Sequence, residues 1–464
     1  MRSRLPAVLC AGIVLAGAPG AFAAHEERRQ AVPGDREERR QAVPGDQAPA
    51  VRLTLEDAQQ RAVAVSHRLA EARSREAAAV AVADSRAAAD RPLAVASAGY
   101  TRTNHVTPFV VPGPTGAPRV LYPDVPDNYR SRLDLQWPIY SGGRTDALER
   151  SARAEAAAVA AEVTVAQADL RLEVARAFWA LVTARATVGV LEQGVARAQA
   201  HVTEVRERFD AGLVPPNEVA SAEAQESRSR MLLIEARNQR DVSLADLGRL
   251  TGIEPPQSIE PGASLDLAGA AAPAIDRLVA EAREARSERR ALERRIEAAD
   301  EQQAAVAAAR RPTVAVVGGV DYARPNPRIF PREDRWQDFW DIGVNVGWSL
   351  WDGGRTDADA AAAAHTAAAT RQRLAEFDSL LGLEVRQRVL DIESGRAAID
   401  AAGDSVKAAA EARRVVAERY RAGVVTQTEV LDAEFALLQA ELDRTRALAG
   451  VRLSEARLAR ALGR

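Results

Sequence analysis

Cysteine is almost absent. The chain has one, Cys10, and a lone thiol rules out intrachain disulfides, CxxC redox chemistry and thiolate metal centres. Lysine is as scarce, with Lys407 the only one, so the cations are nearly all arginine. They alternate with Glu and Asp instead of collecting in a patch, and the formal charge is -3. Nothing in this distribution suggests nucleic acid. Aromatic residues make up 4% of the chain although hydrophobic residues reach 47%, so the apolar share is mostly Ala and Val. Alanine has the highest helix propensity and a small side chain; such a composition favours long helices in close approach over bulky globular cores. The five histidines (His25, His67, His105, His201, His365) lack ligand spacing, and there is no phosphate loop and no HExxH helix. Neither an enzyme, a cofactor nor a metal is expected. After the N-terminal segment there is no run of about 18 apolar residues, so no transmembrane helix is expected either.

What the chain does contain begins at Met1 to Ala23. Arg2 and Arg4 precede an apolar segment from Leu5 to Ala18, and Ala21-Phe22-Ala23 supplies an A-x-A cleavage site. This reads as a secretory signal peptide (1–23) that takes Cys10 with it. Residues 24–50 hold a charged tandem repeat, HEERRQAVPGD then REERRQAVPGD, expected to be a disordered tail.

A larger repeat follows. WPIYSGGR ends at Arg144 and WSLWDGGR at Arg355; Gly142 and Gly353 lie 211 positions apart, as do Gly212 of RFDAGLV and Gly423 of RYRAGVV. A lone GGR is an ordinary surface turn, but two copies in register with two Ala-Gly turns describe a duplicated unit. The expected units are 51–252 and 274–464, joined by a linker at 253–273. Each reads as helix, strand, loop, strand, GGR, very long helix, Ala-Gly turn and returning helix. Arg91-Pro92 and Arg311-Pro312 stop the first helix of each unit, and the Pro, Gly and Asn-rich segment Asn104 to Asn128 is expected to be an exposed loop. Period-two alternation marks strands in Tyr129–Ile139 and Trp340–Leu350; in the second, Trp340, Ile342, Val344, Val346, Trp348 and Leu350 share one face. An apolar face on strands of about ten residues with aromatic ends suits a lipid-facing barrel wall. Trp137, Tyr140, Trp348 and Trp351 then belong at the membrane interface, where Gly142-Gly143-Arg144 and Gly353-Gly354-Arg355 turn strand into helix.

Beyond each GGR, apolar residues recur every seven positions: Val174, Leu181, Val188, Val195, Val202 and Phe209, with Ala177, Ala184, Leu191, Ala198 and Val205 between them. That is a coiled-coil seam, repeated with an interruption at Arg413 by Val385, Ile392, Ile399, Val406 and Tyr420. At 1.5 Å per residue the first such helix runs on the order of 100 Å. The fold class is therefore mixed α and β, mainly α. Two units supply four strands, too few to close a membrane barrel alone, so several chains must share one.

Leu53-Thr54-Leu55-Glu56-Asp57-Ala58, the two GGR turns, Arg208–Leu213 and Arg419–Val424 together resemble the TolC family of outer-membrane efflux and secretion channels. The resemblance implies a homotrimer in which a 12-stranded β-barrel in outer-membrane lipid continues as a coiled-coil α-helical barrel through the periplasm. It also implies that Gly212, Leu213, Val214, Gly423, Val424 and Val425 form tips that dock a periplasmic adaptor. An inner-membrane pump of RND or ABC type would drive transport, most simply of drugs or metal ions. Type I protein secretion is the alternative, and a pore-less periplasmic coiled-coil scaffold is the reading from another class. By the same resemblance Glu429 and Asp432 ring the closed entrance, and Glu218 accepts a hydrogen bond from Tyr420. Val425 stands where the family's gate has a basic residue; Arg419 or Arg421 could replace it.

Overall fold

The computed structural model describes residues 51–464 except 115, 256 and 267–273. The expected signal peptide with Cys10, the tandem-repeat tail and part of the linker lie outside the described residues. A short strand β1 (Val51–Leu53) leads into α1 (Leu55–Val65) and α2 (His67–Ala87), then β2 (Leu93–Arg102), β3 (Phe109–Pro112), β4 (Pro118–Tyr122) and β5 (Asp127–Tyr140). The long helix α3 (Arg144–Asp210) returns as α4 (Pro216–Thr251). After β6 (Ile259–Pro261) the order repeats: α5 (Ile275–Ala285), α6 (Ser287–Ala307), β7 (Thr313–Arg324), β8 (Gln337–Gly347), α7 (Arg355–Arg421) and α8 (Gln427–Ala461).

Local chemistry sets the helix ends. Thr54 and Asp57 form a capping box at α1, with the Thr54 hydroxyl accepting from Asp57 N at 3.2 Å and Asp57 Oδ2 accepting from Thr54 N at 3.2 Å. Ser66 and Arg286 break the paired helices of each unit with nearly the same backbone angles, φ -67°, ψ 116° and φ -66°, ψ 120°. Ser66 caps α2 through Leu69 N at 3.3 Å. Arg286 instead reaches Glu288, Glu384 and the carbonyl oxygens of Arg460 and Ala461, placing a cation on the last carbonyls of α8.

β2, β5, β7 and β8 make one antiparallel sheet in that order, leaving β2 and β8 as its edges. On one face Leu133, Val320 and Trp340 lie in register, then Leu135, Gly318 and Ile342, then Trp137, Val316 and Val344. This face is bare: Trp340, Ile342, Val344 and Val346 are all more than 60% exposed. The other face is tied by charge. Asp321, with a side chain wholly out of solvent, receives two bonds from Arg130 (2.6 and 2.8 Å) and one from Arg132 (2.6 Å), and Arg132 also reaches Asp134 (2.6 Å) and Asp341 (3.2 Å). Gly319 is what lets the Arg132 guanidinium cross β7, because a Cβ there would lie 2.6 Å from Arg132 Nη2.

The main core lies where α1, α3 and α4 meet the parallel pair β1–β6, around Leu53, Val174, Phe178, Leu181, Leu247 and Ile259. Most of the α3 seam is buried there or along α4, whereas Phe209 is exposed at the end of the helix. Three expectations need correction. The segment 104–128 contains the hairpin β3–β4 within the expected loop. β8 stops at Gly347, opposite Thr313, because Pro312 has no N–H to extend the ladder, and Trp348–Trp351 lie beyond the strand. α3 also includes a stretch long and apolar enough to cross a membrane, which its isolated charged residues hide from a count of consecutive apolar positions; half of that stretch is buried in the helical packing, as in a core helix.

Candidate functional site

Two regions carry the residues singled out above. At the sheet end of the helices, Gly142 and Gly143 have φ of 69° and 82°, and Gly353 and Gly354 repeat this with 69° and 84°. These left-handed angles, costly for any residue with a Cβ, let a strand become a helix within one turn. Trp137 donates its indole N–H to the Asp90 carbonyl at 3.2 Å, and Trp348 donates to the Arg310 carbonyl at 3.0 Å; each tryptophan ties the segment entering its glycine turn to the residues just after the preceding helix of its own unit. Tyr140 and Trp351 are exposed. The first turn is further braced by Arg311, whose Nη1 donates to the Gly142 carbonyl at 3.0 Å. Ser141 and Asp352, equivalent by position, each bond a threonine one turn into the following helix, Thr145 and Thr356. Arg144 and Arg355 come together: both line a cleft of about 470 Å³ between α3, α6 and α7, with Gln302 and Asp359.

At the opposite end the two hairpin turns are superimposable in their bonding. Gly212 and Gly423 both have φ 74°. Gly212 N donates to Phe209 O and Leu213 N to Arg208 O at 2.8 and 2.9 Å; Gly423 N and Val424 N repeat the pair on Tyr420 O and Arg419 O at 3.0 and 2.9 Å. This is the Schellman arrangement that ends a helix on a left-handed glycine. Leu213 and Val424 project from the two turns, 70% and 64% exposed, while Val214 and Val425 are half-buried.

Between the turns the hairpins are bonded to each other. Tyr420, almost fully buried, donates its hydroxyl to Glu218 Oε2 at 2.9 Å, and Gln427 Nε2 donates to the Glu218 carbonyl at 2.8 Å. Burial and the Glu218 carboxylate push the phenol up to about 12, so it remains a proton donor at any physiological pH. Arg208 completes the junction. Its guanidinium sits 4.5 Å over the Tyr420 ring and donates to the carbonyl oxygens of Tyr420 (2.9 Å) and Arg421 (3.3 Å), while Arg421 pairs with Glu204 at 3.2 Å. No basic side chain stands at Val425; Arg208, which sequence reasoning missed, and Arg421 make contacts between the hairpins, whereas Arg419 is exposed. Glu429 and Asp432 are both exposed, but Glu429 turns back on its own helix start, accepting from Thr426 N and Oγ1 at 3.3 Å.

Loss of the Tyr420 hydroxyl removes one hydrogen bond to a charged group, about 1.5 kcal/mol. Tyr420→Phe is accordingly expected to loosen the contact between the two hairpins, read as about tenfold faster hydrogen exchange in segments 196–218 and 413–430; wild-type exchange would show that the bond contributes nothing.

The profile of the outer membrane efflux protein family matches residues 58–253 and 278–464. The chain belongs to this family. Among solved structures, this efflux protein is similar to CusC (TM-score 0.76, 16% identity, covering 89% of this chain and 93% of CusC) and to the CmeC outer membrane channel of Campylobacter jejuni (0.74, 16%, 88% and 85%). It is also similar to VceC of Vibrio cholerae (0.71, 20%, 88% and 96%). No curated protein matches it in sequence. The efflux protein has the mainly helical fold of these channels and is an outer-membrane channel protein, not an enzyme, which sets aside the pore-less scaffold.

Proposed function

We propose that three copies of this efflux protein close one 12-stranded barrel and form the passive outer duct of a tripartite system, exporting small molecules such as drugs or metal ions. The observation that carries this reading is the four-stranded sheet with one bare apolar face and two edges that are unpaired among the described residues. In lipid an open edge leaves several polar backbone groups unsatisfied, so the edges must pair. Because β2, β5, β7 and β8 alternate in direction, β8 of one copy meets β2 of the next antiparallel, and closure continues the existing pattern. The 51–252 and 274–464 units each contribute two strands and one hairpin.

The exposed Leu213 and Val424 on matched turns favour docking of a periplasmic adaptor there, with Gly212, Val214, Gly423 and Val425 shaping the surface. The adaptor would couple the duct to an inner-membrane pump of RND or ABC type. Tyr420, Glu218 and Arg208 act as a latch between hairpins, and Glu429 and Asp432 as the acidic lining of the closed entrance. Trp137, Tyr140, Trp348 and Trp351 mark the membrane boundary. Purified protein in detergent should have the mass of three chains and, once reconstituted, should conduct ions; a monomer without conductance overturns the reading.

A further inference from the structure

The tips hold one buried ionisable side chain that the latch does not use. His201 is 8% exposed, and its Nε2 has no hydrogen-bond partner among the described residues. It lies where the two hairpins meet: with Ala198 on α3, Gln225 and Ser229 on α4, and Leu431 and Glu434 on α8 it lines a small, partly open cleft, and its ring is 5.9 Å from that of Tyr420 on α7. All four tip helices therefore close around this imidazole.

We propose, building on the reading of Tyr420 and Glu218 as the tip latch, that His201 is a proton-operated release: taking up a proton at mildly acidic pH drives the hairpins apart. The charged groups around it come from every helix packed against it. They are Arg197, Glu204 and Arg208 on α3, Glu218 on α4, Arg413 and Tyr420 on α7, and Glu434 on α8. Each carboxylate is already engaged, Glu204 by Arg421, Glu218 by Tyr420, and Glu434 by Arg413 at 2.6 Å and Arg197 at 3.5 Å. An imidazolium formed here would be a buried charge that these engaged carboxylates offset only in part, which is costly; separation of the helices would hydrate it.

The sign follows from linkage. Burial holds the His201 pKa below its ordinary value, and exposure in the opened tip restores that value, about 6.5. The closed tip keeps its full advantage above that pH and loses it progressively as pH falls through it, until the closed-state imidazole also protonates. Each unit of separation between the two values multiplies the open-to-closed ratio by about ten at low pH.

The test is planar-bilayer recording of the trimer at pH 7.5 and 5.5. Mean wild-type conductance should rise at least about threefold on acidification, and His201→Phe, which keeps the ring and removes the titration, should abolish the rise. A flat wild-type profile, or an unchanged rise in His201→Phe, overturns the proposal. Should that variant fail to assemble, hydrogen exchange on the wild-type protein separates the same outcomes: corrected for intrinsic rates, protection in segments 196–218 and 413–430 should fall between pH 7.5 and 5.5, and constant protection overturns the proposal. Tyr420→Phe separates the two layers. If it leaves conductance at pH 7.5 unchanged, the latch fails and the proposal with it; if it raises conductance while the wild type stays flat on acidification, only the His201 release fails.

Discussion

Phe178→Ala is expected to lower the melting temperature of the helical signal by about 6–10 °C, from a loss of about 3–5 kcal/mol at roughly 2 °C per kcal/mol. Phe178 has no solvent exposure and meets Trp179 edge-on, with ring centroids 5.3 Å apart. It packs among Leu53, Val174, Leu181, Leu247 and Ile259, contributed by α3, α4 and the two strands of the parallel pair. Few alternative contacts are on hand to fill the void, because Ala58, Ala62, Ala175 and Ala177 already occupy that core with side chains too short to move in. Circular dichroism at 222 nm during heating measures the shift, and a midpoint within 2 °C of wild type, a bound below the expected loss, would show that the site collapses freely.

In the sheet, the largest effect is expected from Asp321→Ala. The carboxylate holds Arg130 and Arg132 of β5 against β7, and removing it leaves two guanidinium groups short of a partner. Breaking a buried ion pair costs about 3–5 kcal/mol; the low end applies, because Arg130 is half exposed and Arg132 keeps Asp134 and Asp341. Recovery of the proposed trimer, read by size-exclusion chromatography in detergent, should drop at least tenfold, roughly what a fraction of that energy gives, whereas Asp321→Asn, which retains one acceptor oxygen, should lose less. Wild-type recovery of trimer from Asp321→Ala would mean that backbone pairing alone sets the register.

Several of these features were legible in the sequence because they rest on short-range rules. Period-two alternation found β5 and most of β8, and the constant 211-residue spacing found both glycine turns. Features that depend on distant residues were not. Arg130, Arg132 and Asp134 fall on the polar face of β5 from alternation alone, but their pairing with Asp321 and Asp341 depends on the β5–β7–β8 register. Arg208 touches residues 212 and 213 positions away, so nothing near it in the chain announces its place over Tyr420. His201 drew attention only as a histidine without ligand spacing; what distinguishes it is burial by three other helices. The hairpin β3–β4 hid in a segment whose prolines and glycines read as loop, and Glu429, read as a lining carboxylate, also closes a helix end, a role that Thr426 three residues earlier does signal.

α3 and α7 are each 67 residues long, which brings both glycine turns to the same depth below the sheet and allows Glu218 to meet Tyr420. Dropping a single heptad from one of them would leave its turn about 10 Å short of its twin, beyond the reach of any side chain that now bridges them. Evolution can therefore lengthen or shorten this molecule only by editing both halves of the gene in concert.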